Sequence, residues 1–221
     1  MTIQQNFELV IFDCDGVLID SEIISSSANA EALTKAGYPI TTKEVIQLYT
    51  GVPDAALYAE VEAELGRSLP DRFSEDIKKL VFQKYRTELR AIAGAREMLS
   101  SLTTTKCIAS SSSPTKLALG LIETGLYELA YPHIFSTNLV ARGKPHPDIF
   151  EFAARAMKTT PGDCLVIEDS IAGVTAARAA GMACIGFGGG SHCMGGHTEK
   201  LKNAGAFTVI NNLTELLEFV S

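Results

Sequence analysis

The 221-residue sequence lacks the marks of a secreted or membrane protein. A secretory signal has a basic segment, a long apolar region and a small-residue cleavage site. The amino terminus, MTIQQNFELVIF, lacks all three. No apolar run approaches the ~18 residues that span a bilayer. The cysteines are odd in number and form no CxxC pair, and Cys107, Cys164 and Cys184 lie in strand-like runs. Buried, reduced thiols in a cytoplasmic protein are therefore expected.

A basic excess is also missing. The 19 lysines and arginines are outnumbered by 26 aspartates and glutamates, which gives a formal net charge of −7. A protein that binds nucleic acid or an anionic membrane would show a basic face, so neither partner is expected. A small anionic substrate is compatible with this total, because local charge in a cleft can oppose it. No coiled-coil pattern or pairing helix is evident, which predicts a monomer.

What the sequence does contain is an alternation of strands and helices. Short apolar runs typical of buried parallel strands are ELVIF (8–12), KCIAS (106–110), CLVIE (164–168), ACIGF (183–187) and AFTVI (206–210). The helical patterns between them cover Pro114–Thr124, Pro147–Met157 and Ser170–Ala180. The last one begins at an N-cap serine and stops before Gly181. The alternation predicts an open α/β fold with a mostly parallel sheet.

A different pattern occupies residues 21–89. It contains no convincing strand, and its helical stretches are Glu22–Ala36, Thr42–Tyr49, Pro53–Leu65 and Asp71–Leu89. Residues 1–20 and 90–221 are therefore predicted to form one discontinuous core domain. The helical insertion is predicted to be a small separate domain over the carboxyl ends of the strands, where open α/β sheets bind ligands.

Two pairs of acidic residues follow predicted strands. Asp13 and Asp15 end the first run in LVIFDCDGVLIDSE (9–22), and residues i and i+2 of an extended chain point to the same side. Glu168 and Asp169 end a second strand. Four converging carboxylates would repel one another without a cation, and oxygen ligands favour Mg²⁺. The alternative is that Asp13 and Asp169 are solvated acids at strand ends.

An anion site is indicated by the serine run at 110–113 and by Lys144. The serines lie between a strand and a helix that begins at Pro114, where hydroxyls and free N–H groups suit phosphate oxygens. One of these serines could equally be a simple N-cap. Lys144 lies in the Gly/Pro-rich loop RGKPHPDIF, which would aim its ammonium group into the same pocket.

Taken in order, these motifs resemble the haloacid dehalogenase (HAD) superfamily of phosphotransferases. The motifs are DCDGVLIDSE (13–22), SSSSP (110–114), GKPHPDIF (143–150) and IEDSIAGVTAARAAGM (167–182). The resemblance covers the whole chain, and four motifs in this order are highly specific. It implies a HAD-like Rossmannoid core, with the helical insertion similar to the C1 cap of the β-phosphoglucomutase-like branch.

The resemblance also implies a role for each motif residue. Asp13 would be the nucleophile that forms an aspartyl phosphate, and Asp15 the general acid and base, with a pKa high enough to hold a proton in one step. Ser111, the backbone N–H of Ser112 and Lys144 would bind the phosphate oxygens. The Mg²⁺ ligands would be the Asp13 carboxylate, the Asp15 backbone carbonyl, Asp169 and, directly or through water, Glu168.

The reaction class is predicted from Asp15 and from the insertion. Haloacid dehalogenases and phosphonoacetaldehyde hydrolases lack an aspartate at the position of Asp15, so an oxygen ester is the expected substrate. Mutase relatives carry a histidine and an arginine where this chain has Ser25 and Asp54. Because Asp54 would repel the distal phosphate of a bisphosphate, hydrolysis is favoured over phosphate migration. A phosphomutase and a catalytically inactive binding relative are the alternatives.

The small phosphorylated substrate is expected to be a sugar phosphate, because the chain is similar to bacterial phosphatases that accept 6-phosphogluconate. Insertion residues polar enough to contact a sugar are Ser25, Ser26, Asn29, Thr50 and Asp54. They fit an exposed helix face and turn equally well.

The segment GGGSHCMGGH (188–197) raises a separate question. His192, Cys193 and His197 could be a transition-metal cluster, but no other residue completes a tetrahedral set with standard spacing. We therefore interpret the segment as a flexible surface loop.

Overall fold

The computed structural model describes residues 6–49, 52 and 54–220. The chain divides into two compact units, with the boundaries between Asp20 and Ser21 and between Leu89 and Arg90. One unit contains the β-sheet. The other, within the residues described, consists of helices and their connections.

The sheet has parallel strands throughout. They are β1 (Leu9–Phe12), β2 (Thr105–Ser110), β3 (Ile134–Ser136), β4 (Cys164–Glu168), β5 (Ala183–Phe187) and β6 (Thr208–Ile210). The spatial order is β3-β2-β1-β4-β5-β6, so β1 lies between β2 and β4. Every residue of β1 and β4 is buried, as expected for apolar strands covered on both faces. The predicted α/β fold with a parallel sheet is confirmed, although β3 was not predicted.

The helices complete both units. They are α1 (Ser21–Lys35), α2 (Thr42–Tyr49), α3 (Asp54–Leu65), α4 (Phe73–Glu88), α5 (Ala95–Ser101), α6 (Pro114–Glu123), α7 (Tyr127–Ala130), α8 (Asp148–Ala156), α9 (Ile171–Ala179) and α10 (His197–Ala204). Helices α1–α4 begin and end within two residues of the predicted bounds, and they pack on an apolar cluster around Leu33, Leu57 and Val61. Helices α5, α7 and α10 were not predicted.

Local capping explains where two helices of the sheet unit begin. The Ser113 side chain accepts a hydrogen bond from the Lys116 N–H, and Pro114 occupies the first helical position of α6. Ser170 does the same for Gly173 at the start of α9. Gly181, just after that helix, has φ +74°, the left-handed conformation typical of a helix stop.

The register of the sheet places three strand ends at one level. Phe12 pairs with Ile108 on one side and with Ile167 on the other. The Asp13 N–H then donates to the Ile167 carbonyl at 2.9 Å. Because parallel strands end on the same edge, the residues that follow β1, β2 and β4 collect there.

The thiols lie largely in the interior. Cys14, Cys107, Cys164 and Cys184 are buried and free, and Cys193 is partly exposed. Burial raises the pKa of the Cys14 thiol well above its usual value. In the part of the chain that the structure describes, every helix is too short or too polar to span a bilayer.

Candidate active site

A buried network of charges lies at the carboxyl edge of the sheet. The Lys144 Nζ lies 2.5 Å from Asp13 Oδ1 and 2.8 Å from Glu168 Oε1. It also donates to the Ala109 carbonyl at 3.1 Å. All three charged side chains are at least nine-tenths buried. Buried charges of this kind persist only when paired, so Lys144 is an integral part of the site and not a solvated loop residue.

Burial and neighbouring charges shift the pKa values of both Lys144 and Asp13. Burial alone would lower the pKa of Lys144, but the Asp13 and Glu168 carboxylates raise it above its usual value, so the ammonium stays charged. Burial raises the pKa of Asp13 well above its usual value; Lys144 opposes this, and the neighbouring carboxylates add to it. The Asp13 carboxylate therefore needs further positive charge to stay ionised.

The same edge contains a set of residues that fits a divalent cation. Oxygens of Asp13, Glu168 and Asp169 lie within 4.8 Å of one another, and all three residues are buried. Asp13 and Glu168 share the single Lys144 ammonium, whereas Asp169 faces His192. A hard cation with oxygen ligands would offset the negative charge of these carboxylates and favour the ionised Asp13. The donor set is therefore suited to a divalent metal.

Glu168 is already engaged through both carboxylate oxygens. Its Oε1 contacts Lys144, while Oε2 accepts hydrogen bonds from the Ser170 N–H at 2.8 Å and from the Ser170 hydroxyl at 3.1 Å. These contacts orient Glu168 toward Lys144 and tie it to the first turn of α9. The Glu168 carboxylate is therefore held by protein groups at both of its oxygens.

Asp15 points to a different part of the edge from the other three acids. Its Oδ2 accepts from the Ser112 hydroxyl at 2.7 Å and from the Ser110 hydroxyl at 3.2 Å, and its Oδ1 lies 3.3 Å from Lys116 Nζ. The prediction that four carboxylates converge is therefore corrected to three. The reason is that β1 ends at Phe12 and the chain turns through Gly16 (φ +81°), so the i, i+2 rule for extended backbone no longer applies.

The serines of the run differ in burial and in hydrogen bonding. Ser110 is buried at the end of β2, whereas the side chain of Ser111 is exposed. The Ser112 N–H donates to Ser110 Oγ at 3.0 Å. The Ser110 and Ser112 hydroxyls thus both contact Asp15, whereas the Ser111 side chain is exposed. The phosphate-binding role of Ser111 stays a prediction.

The structure differs from the prediction of a flexible surface loop at residues 188–197. His192 is only 3% exposed, and its Nε2 lies 3.0 Å from Asp169 Oδ2. Its neighbour Ser191 donates to the Asp20 carboxylate from the backbone N–H at 3.1 Å and from the hydroxyl. The loop is thus anchored to the edge of the sheet, and the interpretation as a flexible surface loop is wrong for His192.

The insertion residues predicted to contact substrate differ in burial and in hydrogen bonding. The Asn29 amide donates to the Ser25 carbonyl at 3.2 Å, and its Oδ1 accepts from the Tyr58 hydroxyl at 2.9 Å. Asn29 is also buried, so its amide links α1 to α3 within the inserted unit and is poorly placed to contact a sugar. Asp54, the first residue of α3, is exposed. Thr50 lies outside the described residues.

Gly173 in α9 provides a test of the Glu168 position. A Cβ at this glycine would lie 1.7 Å from Glu168 Oε1. Gly173→Ala normally stabilises a helix, but here we expect a loss of about 1–3 kcal/mol in the free energy of unfolding, because Glu168 must move away from Lys144. We also expect at least a tenfold lower rate of phosphate release.

The matched control for this substitution is Gly162→Ala. A Cβ there meets no atom within 4 Å, and we expect stability within about 0.5 kcal/mol of the original. Urea denaturation of both variants measures the difference. A Gly173→Ala variant as stable as the control would show that the observed Glu168 position is not required.

Sequence reasoning missed several residues of this site. Lys116 and Gly173 carried no prediction as site residues. Lys116 had a detectable signal, since it lies in the first turn of the helix that follows the serine run. His192 was considered only as a transition-metal ligand, and its contact with Asp169 had no signal, because that contact joins a loop after β5 to the end of β4.

Comparison with known proteins gives consistent results. The model of the haloacid dehalogenase-like hydrolases matches residues 7–181. The chain is 30% identical to a 6-phosphogluconate phosphatase of Escherichia coli, over 95% of this chain and 94% of that one. A haloacid dehalogenase-like protein of unknown function from Agrobacterium tumefaciens has a TM-score of 0.89 and 41% identity, with 96% of each chain covered. A HAD family hydrolase of Deinococcus radiodurans, solved with bound phosphate and sodium, has a TM-score of 0.82 and 33% identity, with 96% and 94% covered.

Proposed function

We propose, since the chain belongs to the haloacid dehalogenase-like hydrolases, that its substrate is a small sugar phosphate of the 6-phosphogluconate type. The protein is a phosphatase of this family. The observation that supports phosphoryl transfer is the position of Asp13, which follows β1 and contacts Lys144 within a buried cluster of acids. We further propose that the reaction is a hydrolysis by way of an aspartyl phosphate.

Asp13 is the proposed nucleophile. Its carboxylate oxygen attacks phosphorus, a bond from that oxygen to phosphorus forms, and the bond from phosphorus to the ester oxygen breaks. Lys144 holds the attacking carboxylate in place through its contact with Oδ1. The Lys144 ammonium also offsets negative charge that develops on the phosphoryl oxygens.

Asp15 is the proposed proton donor and acceptor. It gives its proton to the departing alkoxide and then takes a proton from the water that attacks the aspartyl phosphate, so free phosphate leaves and Asp13 is restored. The Ser110 and Ser112 hydroxyls and Lys116 orient this carboxylate away from the other three acids. That separation keeps the proton-transfer group distinct from the groups that would hold a cation.

Mg²⁺ is the proposed cofactor, held by the Asp13 carboxylate, the Asp15 backbone carbonyl and Asp169. When bound, it would supply positive charge that keeps Asp13 ionised and offsets charge on the transferring group. Glu168 and Ser170 fix Lys144 beside these ligands.

The sugar-phosphate assignment rests on the similarity to the 6-phosphogluconate phosphatase over nearly the whole of both chains. Asp54 supports hydrolysis over phosphate migration, because an exposed carboxylate does not favour the second phosphate of a bisphosphate. The inserted unit contains the proposed specificity residues Ser25 and Asp54, with Thr50 in the undescribed part.

A panel of phosphorylated metabolites tests the proposal. With Mg²⁺ present, we expect inorganic phosphate from 6-phosphogluconate and from hexose phosphates, and at least tenfold slower release from phosphoglycolate and nucleotides. Excess EDTA should abolish the release, and added Mg²⁺ should restore it, because the carboxylate cluster then regains its cation. Phosphate release is measured directly, and products are identified by ³¹P NMR.

Two outcomes would contradict the proposal. An isomerised sugar phosphate without free phosphate would identify a phosphomutase. Phosphate release that persists in excess EDTA would rule out the proposed divalent cofactor.

A further inference from the structure

A second group of ligand atoms lies in the loop after β5 and at the first residue of α10. His192, Cys193 and His197 each offer a nitrogen or sulfur atom, and these atoms lie within 4.8 Å of one another. The His192 Nε2 is 3.5 Å from Cys193 Sγ. Two ligands of a tetrahedral Zn²⁺, at about 2.0 Å for nitrogen and about 2.3 Å for sulfur, are separated by roughly 3.5 Å. The spacing therefore fits a single ion between them.

One ring nitrogen of His197 is unsatisfied. The His197 Nε2 is buried and has no hydrogen-bond partner among the residues that the structure describes. The same ring makes a hydrogen bond to the Asp169 backbone. A histidine that is held through one nitrogen by a backbone carbonyl, with its other nitrogen bare and buried, has the arrangement of a metal ligand. Without an ion, such a buried polar atom is costly.

The ring of His192 occupies a prepared position. A Cβ on Gly16 would lie 2.8 Å from its Cε1, and a Cβ on Gly190 would lie 2.7 Å from the same atom. Both glycines therefore make room for the imidazole. The two histidine rings have centroids 5.7 Å apart at an interplanar angle of 84°, so they do not stack against each other. Cys193 and His197 are partly exposed, which leaves a path for an ion to enter.

We propose that this loop holds a second cation site, specific for a borderline transition ion such as Zn²⁺. Two imidazoles and one thiolate are the ligands such ions prefer, whereas Mg²⁺ prefers the oxygen-only set of Asp13, Glu168 and Asp169. Water completes the coordination. The His192 Nε2 lies 3.0 Å from Asp169 Oδ2, so an ion bound at His192 would place positive charge near the same carboxylate. The two sites are thus distinct in chemistry and adjacent in space.

Co²⁺ is the probe, because its absorption reports the number and type of ligands. Titrated into the full chain saturated with Mg²⁺, Co²⁺ should give one equivalent of tetrahedral ligand-field bands and a thiolate-to-cobalt charge-transfer band. That band is assigned to Cys193, since the other four cysteines are buried. Cys193→Ser should remove the charge-transfer band, and His197→Gln should weaken Co²⁺ binding at least tenfold.

Two control variants test whether Co²⁺ binds at the proposed site. His133→Gln changes an exposed histidine elsewhere in the chain and should bind Co²⁺ as the original does. Asp13→Asn alters the oxygen cluster and should keep the charge-transfer band. Circular dichroism melting shows that each variant is folded.

The proposal is overturned if Co²⁺ binds without a charge-transfer band, because the Cys193 thiolate would then not be a ligand. It is overturned equally if Cys193→Ser leaves the band unchanged. Either result would leave His192 as a hydrogen-bonding support for Asp169 and nothing more.

Discussion

Asp13→Asn should lower kcat/KM for phosphate release by at least about a thousandfold, or roughly 4 kcal/mol of transition-state stabilisation. An amide oxygen is a poor nucleophile, so the aspartyl phosphate does not form. The melting temperature should stay the same or rise. Burial raises the pKa of Asp13, so its charge is costly there, while Lys144 keeps its contact with Glu168 in the variant. Steady-state kinetics and thermal melting measure the two effects separately.

The control for this variant is Asp76→Asn in α4. Asp76 forms an exposed pair with Lys79, and we expect no measurable change in activity or melting temperature. An Asp13→Asn protein with activity within tenfold of the original would contradict the nucleophile assignment. A variant that has lost both activity and its melting transition would point instead to a structural role.

Lys144→Met should lower both activity and stability. We expect a loss of about a thousandfold in kcat/KM, because the attacking carboxylate and the phosphoryl oxygens lose their ammonium partner. We also expect a loss of about 3–5 kcal/mol in the free energy of unfolding, since two buried carboxylates are left without a positive charge. Methionine keeps most of the volume of the lysine side chain, so the effect reports the charge. Guanidinium denaturation and phosphate-release kinetics measure the two losses.

Arg142→Met in the same loop is the matched control. Arg142 pairs with Asp148 at the surface, and we expect its replacement to change neither stability nor rate measurably. If Lys144→Met were as stable as Arg142→Met, the buried ion pairs of Lys144 would not contribute to the free energy of unfolding. If its activity were also preserved, the proposed role of Lys144 in binding phosphate would be wrong.

The fold was largely predictable because its signals are local. The apolar runs at β1, β4 and β5 are buried on both faces of the sheet. Short continuous apolar runs of this kind are typical of buried parallel strands. Capping at Ser113 and Ser170 set the starts of α6 and α9. The three residues of β3 gave no usable signal, because such a short strand is defined mainly by its pairing with β2.

The candidate site was predictable only where a residue directly follows a strand. Asp13, Glu168 and Asp169 were expected together because parallel strands end on one edge, and their carboxylates lie within 4.8 Å. The serine run could not show which of its hydroxyls contact Asp15, because identical neighbours give no register; the structure selects Ser110 and Ser112. Asp15 left the acidic cluster because the backbone turns at Gly16.

The sequence by itself determined the strand–helix alternation, the helical insertion and the acids at the strand ends, because periodicity, caps and strand termini are encoded by near neighbours in the chain. Only the tertiary structure decided that Lys144 is buried between Asp13 and Glu168, that Asp15 faces Ser112 and Lys116, and that His192 contacts Asp169. These contacts join residues far apart in the chain. They depend on the strand order, the register and the course of the loops, none of which can be read from spacing.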